Sequence, residues 1–135
     1  MKNVLVIDAQ GGGIGKQLIS EIVDRKLDVE VIGVGTNSTA TAQMLKAGAN
    51  HGATGENPIK VCSRTADFIM GPIGITIADS MYGEITPDMA VAVGSSTAQK
   101  ILIPVNHCSN YVSGVANLNL KVLIQDAVDF LEKNL

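Results

Sequence analysis

A glycine-rich segment near the N-terminus offers the clearest chemistry in the sequence. Asp8–Lys16 reads DAQGGGIGK, with four glycines in the five positions of Gly11–Gly15. The segment follows a run of β-forming residues and precedes a helical pattern. Glycines let the backbone approach a ligand closely, and the first N–H groups of a helix attract anions. The segment therefore predicts a phosphate site formed by Gly11, Gly12, Gly13, Ile14, Gly15 and Lys16.

The dinucleotide-binding loops match this segment only in part. The fingerprint G-x-G-x-x-G meets Lys16 in place of its last glycine in one register, and Gln10 in place of its first in the other. The tail Gly13–Gly15 resembles the Gly-Ile-Gly of short-chain dehydrogenases. The sequence lacks the catalytic Tyr-x-x-x-Lys pair of those enzymes, so an NAD(P) site is an open alternative.

The phosphate loops of ATPases also match in part. Gly11–Gln17 resembles the KGGxGK[ST] loop of ParA/MinD-like ATPases, but Gly11 replaces their signature lysine and Gln17 their magnesium-binding hydroxyl residue. The Walker pattern fails at Gln10 and Gln17 as well. Nucleotide hydrolysis is therefore not favoured. A tight strand-to-helix turn without a ligand is the other alternative, although four glycines exceed what such a turn requires.

Further candidate residues fall in loops that follow other predicted strands. The carboxyl ends of parallel strands meet at one edge of a sheet, so these loops would converge on one pocket. Hydroxyl and amide groups follow the second strand, where NAD-binding folds place an acid, and they suit a ribose or a 2′-phosphate. The carboxylate of Glu56 suits a ribose or an adenine amine. The turn at Gly71 and Pro72 suits a nicotinamide, a flavin or a sugar. These candidates are Thr36, Asn37, Ser38, Glu56, Gly71, Pro72, Gly74 and Asn106. Helix capping and plain turns are the structural alternatives.

Nucleophilic and metal chemistry have little support, and no catalytic residue is assigned. His107 and Cys108 are adjacent, and neighbouring residues of an extended chain point in opposite directions. The chain has two Cys and two His without zinc-ligand spacing, so no metal is expected. Asp79 and Glu84 would suit an acid/base pair, although a solvated helix end explains them more simply.

The elements that must position these residues follow from hydrophobic patterns. Unalternated apolar runs predict parallel strands, and apolar residues at helical spacing predict helices between them. The predicted strands are Asn3–Asp8, Val29–Val34, Asn50–Thr54 (alternatively Ile59–Ser63), Asp67–Met70 and Lys100–Val105. The predicted helices are one from about Ile14 to Lys26, Thr39–Ala47, one capped by Asn57 with Pro58 first, one near Ile75–Met81, one capped by Thr86 with Pro87 first, and one from Leu120 to Leu131. This alternation predicts an α/β fold, a Rossmann-like doubly wound parallel sheet of about five strands in three layers.

Composition and charge narrow the class of protein. The chain has 135 residues, 46% hydrophobic and 17% charged, with a net charge of −3. These values predict one core-forming domain over residues 1–135, exclude a disordered chain, and offer no basic surface for nucleic acid or anionic membrane. Asp8 interrupts the N-terminal apolar stretch, so no signal peptide is expected, and two free thiols fit a cytoplasmic location.

The sequence is similar to a short bacterial protein family known only as a domain of unknown function (number 3842). The resemblance covers most of the chain. It rests on the segments Asp8–Lys16, Gly35–Ser38, Met44–Asn57, Gly71–Gly74 and Ile101–Cys108. The resemblance implies a stand-alone cytoplasmic protein and carries over no established activity.

These observations favour binding of a phosphorylated small molecule, with NAD(P) or another phosphorylated nucleotide as the cofactor class. The protein would act as a regulator or as a subunit of an oligomeric enzyme, because a dinucleotide site and a substrate site together are cramped in one chain of this size. A homodimer or higher homo-oligomer is therefore expected, with the apolar stretch Ile73–Val93, including Met81, Tyr82 and Met89, as the candidate interface. The alternatives are a small NAD(P)-dependent oxidoreductase or epimerase, and an interaction protein with a vestigial glycine loop.

Overall fold

A parallel sheet organises the part of the chain that the computed structural model describes, residues 1–105, 109–115 and 119–135. Its strands are β1 (Lys2–Asp8), β2 (Val29–Gly35), β3 (His51–Thr54), β4 (Phe68–Pro72) and β5 (Gln99–Ile103). They lie in the order β3-β2-β1-β4-β5, and all four pairings are parallel. The central position of β1 explains its uninterrupted apolar sequence, because a central parallel strand is covered on both faces.

Helices cover both faces of this sheet. In the described residues they are α1 (Gly13–Asp24), α2 (Ser38–Ala47), α3 (Glu56–Ser63), α4 (Pro87–Ser95) and α5 (Leu120–Lys133). Successive side chains of a strand point to opposite faces, so β1 contributes to two cores. Val4 and Val6 pack with side chains of α1, α2 and α5, whereas Leu5 and Ile7 pack with side chains of α3 and α4. The predicted three-layer, doubly wound Rossmann-like fold is confirmed.

Several local signals identified their elements correctly. Thr86 caps α4 by accepting the N–H of Met89 at 3.2 Å, and Pro87 is the first helical residue. The strand predicted at Asn50–Thr54 is β3. Its alternative, a strand at Ile59–Ser63, is wrong because these residues belong to α3, where Ile59 is fully buried against the sheet.

The predicted start of α3 is wrong by two residues. The sequence suggested Asn57 as the cap and Pro58 as the first helical residue, whereas Gly55 is the cap and Glu56 begins the helix. Gly55 has a φ of 108°, a conformation that side chains disfavour, and it turns the chain from β3 directly into the helix. Pro58 then lies in the first turn, where its missing N–H breaks no helical hydrogen bond.

The helix predicted near Ile75–Met81 is also wrong. A short 3-10 turn, Ile73–Thr76, follows β4, and the chain then forms turns. Asp79, Met81 and Tyr82 have positive φ values of 63°, 53° and 57°, which a right-handed helix does not allow. We call residues 77–86 the β4–α4 loop.

The apolar stretch predicted as an interface is mostly core. Met81 and Met89 are 5% and 4% exposed and pack beneath the β4–α4 loop and α4. Tyr82 is 98% exposed and Val91 is 64% exposed, so these two side chains carry the outward-facing apolar surface of the stretch.

Candidate functional site

The sheet places the glycine-rich segment at the point where its strand order reverses. From β1 the chain moves to β2 and β3 on one side, then returns across the sheet to β4 and β5 on the other. Loops that leave β1 and β4 therefore diverge, and such crevices at strand carboxyl ends are where doubly wound folds bind ligands. A cavity of about 240 Å³ lies there. Its lining is Asp8, Ala9, Gln10, Gly11, Gly12, Gly13, Ile14, Gln17, Pro72, Met81 and Leu120.

Two glycines of the segment are required by the fold itself. Gly12 has a φ of 74°, and a Cβ there would lie 2.8 Å from the Cα of Ala40. A Cβ at Gly15 would lie 2.7 Å from the sulfur of Met44. Both contacts are with α2, so these glycines allow α1 and α2 to pack closely.

Gly11 and Gly13 have no such requirement. A Cβ at either position would meet no described atom within 4 Å, and neither residue has a left-handed φ. Both line the cavity. Within the described part of the chain, the N–H groups of Gly11 and Gly13 also meet no hydrogen-bond acceptor. The backbone at these two positions therefore lines the cavity uncovered by any side chain. The fold itself does not require glycine at either of them.

Asp8 ends β1 with a buried carboxylate, only 3% exposed. It points to the α1 side of the sheet, as Val4 and Val6 do, and accepts the N–H of Ala9 at 2.8 Å and that of Gly15 at 2.7 Å. Burial raises the pKa of this carboxyl, and the hydrogen bonds from Gly15 and Ala9 offset only part of that effect. The buried Asp8 carboxylate thus lies beside the first turn of α1, on the side that faces the sheet.

Glu84 connects three loops at the carboxyl edge of the sheet. One carboxylate oxygen, Oε1, accepts the N–H of Gln10 at 2.9 Å, the hydroxyl of Thr36 at 2.6 Å and the side-chain amide of Asn37 at 2.9 Å. The Asn37 amide also donates to the carbonyl of Gln10 at 3.0 Å. Burial raises the pKa of the Glu84 carboxyl, but these hydrogen bonds outweigh it, so the pKa lies below its ordinary 4.5. Glu84 therefore joins its own loop to the loops after β1 and β2. The sequence suggested a solvated helix end at this position.

The structure brings some predicted site residues together at the cavity. Those that line it are Gly11, Gly12, Gly13, Ile14 and Pro72. Gly15 lies beneath the loop against Met44, and Lys16 is exposed on α1 outside the cavity lining.

Other predicted residues have different surroundings. A Cβ at Gly71 would overlap the carbonyl oxygen of Ile7, and one at Gly74 would lie 2.9 Å from the terminal methyl of Met81, so both glycines allow close packing. Glu56 accepts the Thr86 hydroxyl, and Ser38 is exposed at the start of α2. Asn106, His107 and Cys108 lie outside the described residues.

Sequence reasoning did not assign several residues that line the cavity. They are Asp8, Ala9, Gln10, Gln17, Met81 and Leu120. Asp8 alone had a usable signal, since it is an acid placed directly after the apolar run Val4–Ile7 and before the glycines. Met81 and Leu120 have no local signal for a ligand, because apolar residues at such positions also fill cores.

The described residues contain neither a metal-binding cluster nor a membrane-spanning helix. No group of three or more His, Cys, Asp or Glu side chains there could hold a metal ion. None of the described helices has the length and apolar character needed to cross a bilayer.

Comparison with known proteins identifies the family. The model of a domain of unknown function, DUF3842, matches residues 3–135, so the chain belongs to this family. No curated protein matches significantly in sequence. Among solved structures, the chain resembles the dodecameric FMN-dependent UbiX-like decarboxylase from Escherichia coli O157:H7, with 16% identity and a TM-score of 0.47, covering 97% of this chain and 76% of that one. Nothing about the chemistry of this chain follows from so distant a likeness.

Proposed function

We propose that this DUF3842 protein binds a phosphorylated nucleotide or dinucleotide, such as NAD(P), through the Gly11–Gly15 loop. It would act as a regulator or as a subunit of an oligomeric enzyme. The observation that carries the proposal is the open backbone at Gly11 and Gly13. Neither packing nor φ requires glycine there, yet any side chain would extend into space beside the cavity.

The chemistry of the cavity supports a phosphate at this loop. The N–H groups of Gly11 and Gly13 are donors without an acceptor in the described chain, and backbone donors at a helix N-terminus suit a phosphate. The Asp8 carboxylate offsets part of the positive end of α1, so we expect these N–H groups, more than the helix dipole, to hold the anion. Pro72, Met81 and Leu120 would contact the less polar remainder of the ligand.

Thermal melting against a ligand panel tests the proposal. The panel is NAD, NADP, ATP, GMP, FMN and coenzyme A. A ligand at 100 times its Kd adds about 2.7 kcal/mol of stability, which is readily seen in a protein of this size. A melting temperature that no compound raises would contradict the proposal.

A matched pair of variants locates the site. Gly13→Asp places a side chain beside the cavity, at the first position of α1, where an acid is tolerated. Gly94→Asp is the control, because Gly94 is an exposed helical glycine with equally open surroundings and lies outside the cavity lining. We expect Gly13→Asp to abolish the ligand-induced shift and Gly94→Asp to retain it. A ligand-induced shift that persists in Gly13→Asp would show that the ligand binds elsewhere.

We further propose a cytoplasmic homo-oligomer whose single domain, residues 1–135, carries the site. Tyr82 and Val91 leave apolar surface exposed beside the β4–α4 loop and on α4. Light scattering of the wild type and of Tyr82→Ser with Val91→Ser tests this surface. A wild-type monomer, or an assembly unchanged by both substitutions, would contradict its role.

A further inference from the structure

The corner at the end of β2 is closed by hydrogen bonds within the chain. In doubly wound folds that bind dinucleotides, an acid after the second strand holds the ribose of the adenosine half. Here Thr36 and Asn37 follow β2, and their side-chain donors both bind Glu84. Glu84 comes from the β4–α4 loop, 48 residues beyond Thr36, and crosses the carboxyl edge of the sheet to reach this corner.

We propose that Glu84 makes the site selective for a single phosphorylated nucleotide, because it occupies the corner that a dinucleotide needs for its second half. This inference rests on the proposed function and defines the ligand class more narrowly. Glu84 uses one oxygen to accept three donors, two of them from the groups that would otherwise meet a ribose. A dinucleotide bound across the sheet would have to break these contacts.

The position of the cavity agrees with a ligand that stays on the β1–β4 side of the sheet. Its volume is about 240 Å³. From the glycine-rich segment the lining continues to Pro72 after β4, to Met81 and to Leu120 at the start of α5. It includes neither Thr36 nor Asn37. The cavity therefore extends from β1 toward β4, away from the corner that Glu84 closes.

The β4–α4 loop is held in place by further contacts. The Asp79 N–H donates to the carbonyl of Ile85 at 2.7 Å, and the Ser80 hydroxyl donates to the carbonyl of Gly74 at 2.5 Å. Met81 lines the cavity while Glu84, three residues later, binds Gln10 of the opposite loop. One loop thus contributes to the wall of the cavity and closes the corner beside it.

Calorimetric titration with matched ligand pairs tests this selectivity. The pairs are nicotinamide mononucleotide with NAD, and FMN with FAD. For a pair that binds, we expect the mononucleotide to bind the wild type at least about tenfold more tightly than the dinucleotide. In Glu84→Ala the corner is open, so we expect that ratio to fall by about tenfold. Asp88→Ala, which removes an exposed acid from the first turn of α4, should leave the ratio unchanged.

The outcomes separate this inference from the proposed function. A dinucleotide that binds the wild type more tightly than its mononucleotide, or a ratio unchanged in Glu84→Ala, overturns the selectivity and leaves nucleotide binding intact. Absence of binding by all four compounds overturns the selectivity, and it overturns the proposed function as well when the remaining compounds of the melting panel also fail to bind. If Glu84→Ala does not fold, Glu84→Ser removes the same carboxylate from the corner, leaves Thr36 and Asn37 in place, and must also lower the ratio.

Discussion

The carboxylate of Asp8 and the backbone N–H of Gly15 lie 2.7 Å apart and join the end of β1 to the first turn of α1. The same carboxylate accepts the N–H of Ala9 at 2.8 Å. Both donors belong to the glycine-rich turn, whose remaining N–H groups at Gly11 and Gly13 border the cavity. Asp8 therefore defines the shape of the turn from inside the sheet, and the proposed ligand site depends on its contacts.

Replacing Asp8 by alanine should destabilise the fold. The change leaves two buried N–H groups without an acceptor, and each such group costs about 1–3 kcal/mol. Asp8→Asn keeps one acceptor oxygen and should lose less. Urea denaturation measures the free energy of unfolding, with Asp24→Ala, at an exposed position of α1, as the control. Equal losses in Asp8→Ala and Asp24→Ala would contradict the structural role of Asp8.

The raised pKa of Asp8 predicts a pH dependence of stability. The ordinary pKa of Asp8 is 3.8, and its folded-state pKa is higher. At pH values between the two, the folded protein holds the Asp8 proton more tightly than the unfolded chain does. Its contribution to stability is therefore full below 3.8 and is lost as pH rises through the folded-state pKa. Unfolding of the wild type and Asp8→Asn at a series of pH values isolates this effect. The stability of the wild type relative to Asp8→Asn should decline as pH rises, and parallel curves would contradict the shift.

Gly71→Ala should disrupt the contact between β1 and β4. A Cβ at Gly71 would overlap the backbone carbonyl of Ile7, and no side-chain rotation can relieve a clash with backbone. Overpacking of this kind costs about 1–3 kcal/mol, and we expect the upper end of that range. In the matched variant Gly94→Ala the new methyl enters open space, and helix propensity should raise stability by up to about 1 kcal/mol. Urea denaturation of both variants checks the contrast.

Much of the fold could be predicted from local patterns. The apolar run before Asp8 identified β1, because a parallel strand covered on both faces needs no polar alternation. The helical spacing from Leu120 to Leu131 identified α5, whose apolar residues reach the sheet. The errors were the start of α3, where Gly55 turns the chain, and the helix predicted near Ile75–Met81, which the positive φ values of the β4–α4 loop exclude.

The site could be predicted only in outline. Four clustered glycines indicated a close backbone approach, but tertiary contacts divide them by role. Gly12 and Gly15 pack against α2, while Gly11 and Gly13 face open space. Glu84 was beyond local reasoning, because its partner Gln10 is 74 residues away in the chain. The neighbouring residues Tyr82 and Gly83 indicate a solvated carboxylate. Glu84 has three donors only because the β4–α4 loop crosses the edge of the sheet and brings it to the loops after β1 and β2.

The hydrogen bonds of Glu84 predict a pH dependence opposite in sign to that of Asp8. Burial raises the pKa of Glu84, but the donors Thr36, Gln10 and Asn37 lower it by more, so the net pKa lies below 4.5. The contribution of Glu84 to stability is therefore present above pH 4.5 and is lost as pH falls through its folded-state pKa. Glu84→Gln keeps the size of the side chain and removes its charge. Urea denaturation at a series of acidic pH values should show the advantage of the wild type over Glu84→Gln shrinking as pH falls, and an advantage that grows instead would mean that Thr36 and Asn37 do not stabilise the charged form.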